Sequence, residues 1–262
     1  MQYAMVIDLN RCVGCHACAV ACKAEWSVPT AYGRNWVKRL GPANTPSGLS
    51  KTYYPGLCNH CDTPACVPVC PADTINRKFR DPTTGRTITM EVAATYKDPF
   101  TGIVLIDRER CIGCGACVEA CPYGARYLDE EADDPRSDKC TFCAERTEAG
   151  LEPACVQTCL SRARIFGSLD DPKSEVSKYI KKGAERLESD AVKIGPNVYY
   201  FGNSKDMHLL KSTCTPTTMP EASLLGKRAF LAKLGKSLAT GTGIAGMLGM
   251  AGMTISDSEE NT

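Results

Sequence analysis

Residues 111–122 read CIGCGACVEACP, a Cys-x2-Cys-x2-Cys-x3-Cys motif followed directly by proline. The same spacing occurs near the start of the chain, where residues 12–22 read CVGCHACAVAC. Three thiolates at such short intervals wrap the chain around one inorganic cluster and let backbone N–H groups point at its sulfides. The spacing is typical of [4Fe-4S] sites, so it predicts a fold organised around such clusters.

Sixteen of the 17 cysteines fall into four groups of four, numbered one to four along the chain. Groups one and three have the regular spacing, whereas groups two and four have a longer gap before the third cysteine. In the regular motif the fourth cysteine follows the third by one helical turn and ligates the other cluster of a pair. The candidate metal-binding residues are Cys12, Cys15, Cys18 and Cys22; Cys58, Cys61, Cys66 and Cys70; Cys111, Cys114, Cys117 and Cys121; and Cys140, Cys143, Cys155 and Cys159.

Two other uses of cysteine fit the sequence less well. Disulfides would require an exported chain, and the N-terminal sequence MQYAMVIDLNRC carries no export signal. Zinc sites use Cys-x2-Cys pairs separated by a longer spacer, not three cysteines in seven residues repeated as a unit. The spacing therefore favours iron-sulfur clusters over both.

The composition narrows the class of protein. With 262 residues, the chain is long enough for one or two domains. Its formal net charge of +1 and pI of about 7.4 predict no nucleic-acid partner, because basic and acidic residues balance. Aromatic residues are only 7% of the chain, so metal binding is expected to contribute to the free energy of folding. No apolar run approaches the roughly 20 residues that span a bilayer, which predicts a soluble or peripheral protein.

An internal repeat surrounds groups one and three. Residues 7–15, IDLNRCVGC, correspond to residues 106–114, IDRERCIGC. The apolar runs Tyr3–Leu9 and Ile103–Ile106 predict a short strand before each motif, with a short helix after it. The glycine in each loop fits a position of positive φ or of close backbone approach. The repeated unit is therefore strand, cluster loop and helix.

The remaining segments carry weaker signals. Residues 26–55 hold many prolines and glycines and predict a loop-rich insertion. Two turn sequences within residues 80–102 flank the alternating segment Arg86–Val92, which predicts a β-hairpin. Residues 129–138 hold six carboxylates and predict a solvated loop rather than a docking surface. Residues 171–262 are predicted to form a C-terminal extension.

The C-terminal tail contains Lys227-Arg228 followed by a weakly apolar stretch. This is similar to a twin-arginine export signal but lies at the wrong end of the chain, so we favour a docking helix over 223–253 that lies against a partner or a membrane surface. Cys214 lies outside every group and is predicted to be an ordinary small residue. His16 and His60 lie in cluster loops, where packing or solvation is a more frequent role than hydrogen bonding to sulfur.

With these four groups in this order, the chain resembles the four-cluster iron-sulfur subunits of the molybdopterin oxidoreductase (dimethyl sulfoxide reductase) superfamily. The segments that carry the resemblance are VID (6–8), RCVGC (11–15), CNHC (58–61), CVPVCP (66–71), CPYGAR (121–126), KCTFC (139–143) and PAC (153–155). They extend over about residues 1–201 and together are far more specific than one motif. The sequences of these segments are most similar to those of the tetrathionate, polysulfide or thiosulfate, and arsenate reductase branches of the superfamily.

The resemblance implies an α+β fold with two ferredoxin-like [4Fe-4S] subdomains. Residues 1–25 plus 138–170 would hold groups one and four, and residues 56–128 would hold groups two and three. Because Cys114 is present, four [4Fe-4S] clusters are expected. The implied ligand sets are site 1, Cys12, Cys15, Cys18 and Cys159; site 2, Cys22, Cys140, Cys143 and Cys155; site 3, Cys58, Cys61, Cys66 and Cys121; and site 4, Cys70, Cys111, Cys114 and Cys117.

The resemblance also implies an electron-transfer subunit with no catalytic residues of its own. Electrons would pass between an integral membrane subunit or anchor that reacts with quinol and a catalytic subunit that carries a molybdopterin cofactor with molybdenum or tungsten. Site 1 would face the catalytic subunit, and site 4 the membrane side. Relatives are often exported with a partner that carries the signal, which predicts a place on the periplasmic face of the inner membrane.

Two alternatives remain open at this point. The chain could be a polyferredoxin or the electron-input subunit of a cytoplasmic formate dehydrogenase or hydrogenase, or it could be a structural protein whose clusters never turn over. The insertion at 26–55 and the C-terminal extension favour a docked subunit, because a free carrier needs neither.

Overall fold

A computed structural model describes residues 1–223. Lys227-Arg228 and all but the first residue of the predicted docking helix lie outside the described residues. The described chain mixes helices and strands, and none of its helices is long and apolar enough to cross a bilayer. The elements are β1 Tyr3–Asp8, α1 Ala17–Trp26, β2 Asn35–Thr45, β3 Gly48–Leu57, β4 Ile75–Arg80, β5 Thr87–Val92, β6 Thr95–Lys97, β7 Val104–Ile106, α2 Ala116–Glu119, β8 Arg126–Leu128, β9 Ser137–Lys139, α3 Ala144–Glu148, α4 Ala154–Gln157, β10 Arg164–Ser168, α5 Glu175–Lys181, β11 Glu185–Arg186, β12 Val198–Phe201 and α6 Ser204–Cys214.

A four-stranded sheet with the order β10–β1–β12–β11 is built around the start of the chain. Strand β1 lies in its middle, antiparallel to β10 and parallel to β12. Both faces of β1 are covered, with Ala4 and Val6 in the apolar cluster that includes α5 and with Met5 and Ile7 in the main core. This explains why the segment reads as a continuous apolar run rather than an alternating one.

Both halves of the internal repeat form the predicted strand, loop and helix. Strands β1 and β7 precede the two regular motifs, and α1 and α2 follow them. The loop residues Gly14 and Gly113 have φ of +68° and +66°. A Cβ added at Gly14 would lie 2.2 Å from the Tyr53 ring, and one at Gly113 would lie 2.4 Å from the carbonyl oxygen of Pro135. Both loops therefore need glycine for positive φ and for close approach.

The prediction of a loop-rich insertion over 26–55 is wrong for most of that segment. Strands β2 and β3 form a long antiparallel hairpin. Gly41-Pro42 lies at a register shift in β2, and Pro55 lies within β3 opposite Val37. Each strand of a two-stranded ribbon is an edge strand, where a bulge or a missing N–H is tolerated. The prolines and glycines that suggested loops are therefore compatible with the hairpin.

The predicted β-hairpin near 80–102 is present but starts earlier. Strands β4 and β5 pair from Ile75 opposite Val92 to Arg80 opposite Thr87. The second turn sequence connects β6 to β7. The two turn signals thus belong to two successive hairpins.

The described part of the predicted C-terminal extension belongs to the core of the protein. Strands β11 and β12 complete the sheet around β1, and α6 packs on the β2–β3 hairpin through Leu209 and Leu210. The boundary predicted at residue 171 is therefore wrong. Strand β12 pairs with a strand at the opposite end of the described residues, and no local pattern announces so distant a partner.

Candidate metal centres

Three cavities in the structure are each lined by four cysteines. Their empty volumes, which include space open to solvent, are about 360 Å³ at site 1, about 290 Å³ at site 2 and about 330 Å³ at site 3. In each case the lining cysteines are those of one implied ligand set. The structure therefore brings together residues that are far apart in sequence, such as Cys18 with Cys159 and Cys22 with Cys140.

The thiols of site 4 also lie close to one another. Burial is the main cause that raises the pKa of Cys114 to about 11, and the negative charges of Cys117, Cys70 and Cys111 act in the same direction. The backbone N–H of Ala116 opposes them. Because a Coulomb interaction falls with distance, these couplings indicate that the four thiols form one group.

Short helical turns distribute the cysteines between neighbouring sites. Helix α1 carries Cys18 of site 1 and, one turn later, Cys22 of site 2. Helix α4 carries Cys155 of site 2 and is followed after one turn by Cys159 of site 1. A four-residue step along a helix is about 6 Å. Two neighbouring sites are thus held close together by continuous backbone.

The sites follow one another in numerical order. Burial dominates the raised pKa of each thiol at the boundaries, but charges from the next site contribute as well. Cys155 of site 2 is affected by Cys18 of site 1, and Cys140 of site 2 by Cys58 of site 3. Cys66 of site 3 is in turn affected by Cys117 of site 4. Because such charge effects fall with distance, they indicate a series from site 1 to site 4.

Exposure is greatest at one end of this series. Cys15 of site 1 is exposed, and Cys114 of site 4 is half-buried. All four cysteines of site 2 are buried, as are three of the four at site 3 and three of the four at site 4. Site 2 is therefore the most shielded from water, and site 1 is the least shielded.

Backbone and indole N–H groups donate to several of the cysteine sulfurs. The N–H of Ala163 lies 3.2 Å from Cys159 Sγ, and that of Ala125 lies 3.4 Å from Cys121 Sγ, at the equivalent place in the repeat. Trp26 Nε1 donates to Cys143 Sγ at 3.3 Å. Such bonds stabilise a thiolate relative to a thiol and tune a bound cluster.

Sequence reasoning missed the buried basic residues around the sites. The cavities of sites 1, 2 and 3 are lined by Arg164, Arg34 and Arg126, respectively. Lys139 is fully buried between sites 2 and 3, where it donates to the carbonyl oxygens of Val104 and Cys140. A sequence signal existed for two of them, because Arg126 and Arg164 each follow the last cysteine of a group by five positions.

Asp138 departs from the prediction of a solvated acidic loop. It lies in β9, is 4% exposed and accepts a hydrogen bond from Arg34 Nε at 2.8 Å. The hydroxyl of Tyr127 donates to the same carboxylate at 2.7 Å. Most of the other acidic residues in 129–138 are exposed. One member of the run is thus the buried partner of an arginine at site 2.

His60 is fully buried and packs between two sites. Its Nδ1 accepts from the N–H of Val104 at 3.0 Å, and its ring stacks on Phe142 at 3.8 Å. Burial lowers its pKa well below the usual value, so the ring is neutral and carries its proton on Nε2. That nitrogen has no partner among the described residues and borders the cavity of site 3.

The other two residues that the sequence singled out have different surroundings. His16 borders the cavity of site 1 with a left-handed φ of +59°. Cys214 ends α6, packs against the main core and borders none of the three cavities. Burial raises its pKa to about 11.

The residues at these sites fit [4Fe-4S] clusters. Each site offers four sulfur donors, the ligands that these clusters take. Buried N–H groups without a protein partner border the cavities, namely Arg34 Nη1 at site 2 and Arg126 Nη1 and His60 Nε2 at site 3. Within residues 1–223, no three Cys, His, Asp or Glu side chains are placed to hold a single metal ion. The thiols of sites 1 to 3 instead line the walls of the three cavities.

Comparisons with known proteins agree with this chemistry. A family described as "4Fe-4S dicluster domain" matches residues 49–169, and one described as "4Fe-4S binding domain" matches residues 3–24. A tetrathionate reductase subunit of Salmonella typhimurium is 39% identical over 77% of this protein and 72% of its own length. A polysulfide reductase component of Wolinella succinogenes is 34% identical over 78% of this protein and 96% of its own length. For the arsenate respiratory reductase iron-sulfur subunit of a Shewanella species, the values are 32%, 77% and 96%. The protein binds multiple [4Fe-4S] clusters and belongs to the family of electron-transfer iron-sulfur subunits of anaerobic respiratory reductases.

Proposed function

We propose that the protein binds four [4Fe-4S] clusters with the ligand sets of sites 1 to 4 and carries electrons along them in that order. The observation that supports this most directly is the series of sites, in which each lies next to the following one. The shielding of site 2 and the exposure of Cys15 support an entry or exit point at site 1. In this arrangement the two ferredoxin-like subdomains hold sites 1 and 2 and sites 3 and 4, respectively.

The protein's own contribution is to hold, separate and tune the clusters. Bound clusters would supply reversible one-electron transfer. The cysteines fix their positions, the buried walls exclude water, and N–H donors such as Ala163 and Trp26 favour negative charge on sulfur. No acid, base or nucleophile for a substrate is required of this chain.

The proposed partners are a molybdopterin catalytic subunit at site 1 and a quinol-reactive membrane subunit or anchor at site 4. Exposed apolar side chains near sites 1 and 4 support docking at both ends of the series. Leu160, next to Cys159 of site 1, is 82% exposed, and Val13, in the loop of the first cysteine group at the same site, is 60% exposed. At site 4, Ile112 is likewise 60% exposed. The relatives are named for tetrathionate, polysulfide and arsenate reductases, so we propose a terminal substrate of this kind, bound by the catalytic subunit.

We further propose that the complex lies on the periplasmic face of the inner membrane, exported together with its partner. Co-expression of the chain with its catalytic subunit tests this. The periplasmic fraction should contain the chain only when the partner's export signal is intact. Retention in the cytoplasm with an intact signal would contradict the proposed location.

Metal analysis tests the proposed cluster content. On anaerobically purified full-length chain we expect about 16 iron and about 16 acid-labile sulfide, the content of four [4Fe-4S] clusters. Cys214→Ser should leave both values unchanged, whereas Cys22→Ser should lower them. Interacting EPR signals are expected on reduction. Zinc without sulfide would contradict electron transfer, and about eight iron would contradict four clusters.

A surface substitution tests the proposed docking end. Leu160→Asp should weaken co-purification of the catalytic subunit while leaving the iron content unchanged. Leu49→Asp is the matched control, because Leu49 is 63% exposed near the tip of the β2–β3 hairpin and lines none of the three cavities. Equal effects of the two variants would contradict docking at site 1.

A further inference from the structure

Two arginines occupy equivalent positions in the two halves of the cysteine framework. Arg126 follows Cys121, the last cysteine of group three, by five residues, and Arg164 follows Cys159 in the same way. Each is the first residue of a strand, β8 or β10. Arg126 is 6% exposed and Arg164 is 4% exposed. The repeat therefore directs one cation into each half of the protein interior.

Arg126 lies between sites 3 and 4. Its Nη2 donates to Cys66 Sγ of site 3 at 2.9 Å. After burial, which disfavours its charged form, the charges that affect it most are those of Cys66 and then of Cys117 at site 4. Its Nη1 is buried and has no partner among the described residues.

Arg164 lies in the same way between sites 1 and 2. Its Nη1 is 3.9 Å from Cys155 Sγ of site 2. The charge of Cys18 at site 1 affects its guanidinium as well. It borders the cavity of site 1, and its Nη2 is buried without a partner among the described residues. Each arginine thus contacts a sulfur of one site and is affected by the charges of the neighbouring site, and each retains one N–H donor without a partner among the described residues.

Neither arginine takes part in an ion pair with a carboxylate within residues 1–223. Arg34 shows the contrast, because its charge at site 2 is balanced by Asp138 at 2.8 Å. An arginine stays protonated in proteins, and a buried charge without a counter-charge is costly. The negative charge that balances Arg126 and Arg164 must therefore come from the thiolates and from what they bind.

A buried cation of this kind acts on electron transfer through charge. Reduction adds one electron to a site and so adds one negative charge beside the guanidinium, in surroundings of low dielectric constant. Transfer of that electron to the neighbouring site breaks no bond and moves no proton. One cation between two sites stabilises the electron on either of them, so it raises both potentials.

We propose that Arg126 and Arg164 are positioning residues that raise the reduction potentials of sites 3 and 4 and of sites 1 and 2, respectively, by serving as shared counter-charges between them. The inference rests on the proposed function, because it requires clusters at all four sites. It adds a division of the series into two pairs, each with its own cation.

Redox titration followed by EPR tests the inference on anaerobically purified full-length chain. Arg126→Gln should lower the midpoint potentials of two clusters and leave the other two unchanged, and Arg164→Gln should lower the complementary two. We expect the equilibrium constant for reduction to fall at least tenfold, which corresponds to about 59 mV for one electron. Arg162→Gln is the matched control, because Arg162 lies two residues from Arg164 but is not buried.

Iron and sulfide content distinguish a failure of the proposed function from a failure of the proposed role of the two arginines. Low content in the unsubstituted chain would contradict the proposed function, whereas full content with unchanged potentials in both Gln variants would overturn only the role of the arginines. Shifts no larger than those of Arg162→Gln would also overturn it. If a Gln variant binds less iron, Arg126→Lys and Arg164→Lys are measured instead, because lysine keeps the positive charge. Their equilibrium constants for reduction should stay within threefold of that of the unsubstituted chain. A tenfold fall in these constants would refute the inference.

Discussion

Replacement of Asp138 by asparagine is expected to destabilise the cluster-loaded protein by about 3–5 kcal/mol, since it leaves a buried arginine without its counter-charge. Asp138 and Arg34 are joined at 2.8 Å, and their side chains are only 6% and 5% exposed. Asparagine has nearly the same shape as aspartate, so packing changes little. The largest part of the cost is the uncompensated guanidinium of Arg34 at site 2, and smaller parts come from the contacts of Asp138 with Tyr127 and Arg108.

Urea unfolding of the loaded chain under anaerobic conditions, followed by far-UV circular dichroism, measures this effect. With a slope of about 3 kcal/mol/M for a protein of this size, the midpoint should fall by about 1–2 M. Asp134→Asn is the matched control in the same acidic run. Asp134 pairs with Arg136 at 2.7 Å but is 71% exposed, so its loss should cost at most about 1 kcal/mol.

A double variant distinguishes the ion pair from other effects of Asp138. Arg34→Met combined with Asp138→Leu removes both charges, and replacement of a buried pair by apolar residues is often neutral or stabilising. We therefore expect the double variant to be more stable than Asp138→Asn alone. Equal midpoints for Asp138→Asn and Asp134→Asn would refute the reasoning, because burial would then have no effect on the cost.

Three further outcomes follow from the same contacts. Gly14→Ala puts a methyl group 2.2 Å from the Tyr53 ring, so we expect about 1–3 kcal/mol of destabilisation and less bound iron. Gly48→Ala is the control for the effect of positive φ alone, because a Cβ at Gly48 has nothing within 4 Å. Equal losses of stability in the two variants would contradict the clash with Tyr53. His60→Phe removes the Nε2 donor at site 3 and should lower the midpoint potential of that cluster alone in an EPR titration, whereas an unchanged potential would exclude this donor. Burial raises the pKa of Cys22 to about 12 and that of Cys155 to about 11. Thiols bind iron only after they lose their protons, so the iron retained against a chelator should fall as the pH is lowered from about 8 to about 6. Equal iron retention at both pH values would contradict competition between protons and iron.

The cysteine framework could be predicted from the sequence because its signal is local. Thiolates that share a cluster must be closely spaced, and that spacing is visible in residues 12–22 and 111–122. The strand and helix on either side of each motif were predicted for the same reason. The β2–β3 hairpin was missed, since glycine and proline mark loops in general but are also tolerated at the bulges and edges of a two-stranded ribbon.

The groups that border the sites could not be predicted individually. Asp138 looks like its neighbours in an acidic run, and only its position opposite Arg34 shows that it is buried. Arg126 and Arg164 occupy equivalent positions in the repeat, but this does not predict their burial, because basic residues are usually solvated. Their burial depends on strands β8 and β10, whose partners are β9 and β1. Such pairing, above all that of β10 with the distant β1, leaves no local signature.

The series of sites is connected in two physically different ways. Sites 1 and 2 share the continuous helix α1, and sites 3 and 4 share the segment between Cys117 and Cys121, so covalent backbone fixes the spacing within each pair. Sites 2 and 3 are joined by noncovalent contacts, namely the stack of His60 on Phe142, the hydrogen bonds of Lys139 and the pairing of β8 with β9. A change that loosens packing alters noncovalent spacing before covalent spacing. In the proposed series, the fold rather than the cysteine motifs therefore sets the spacing between sites 2 and 3.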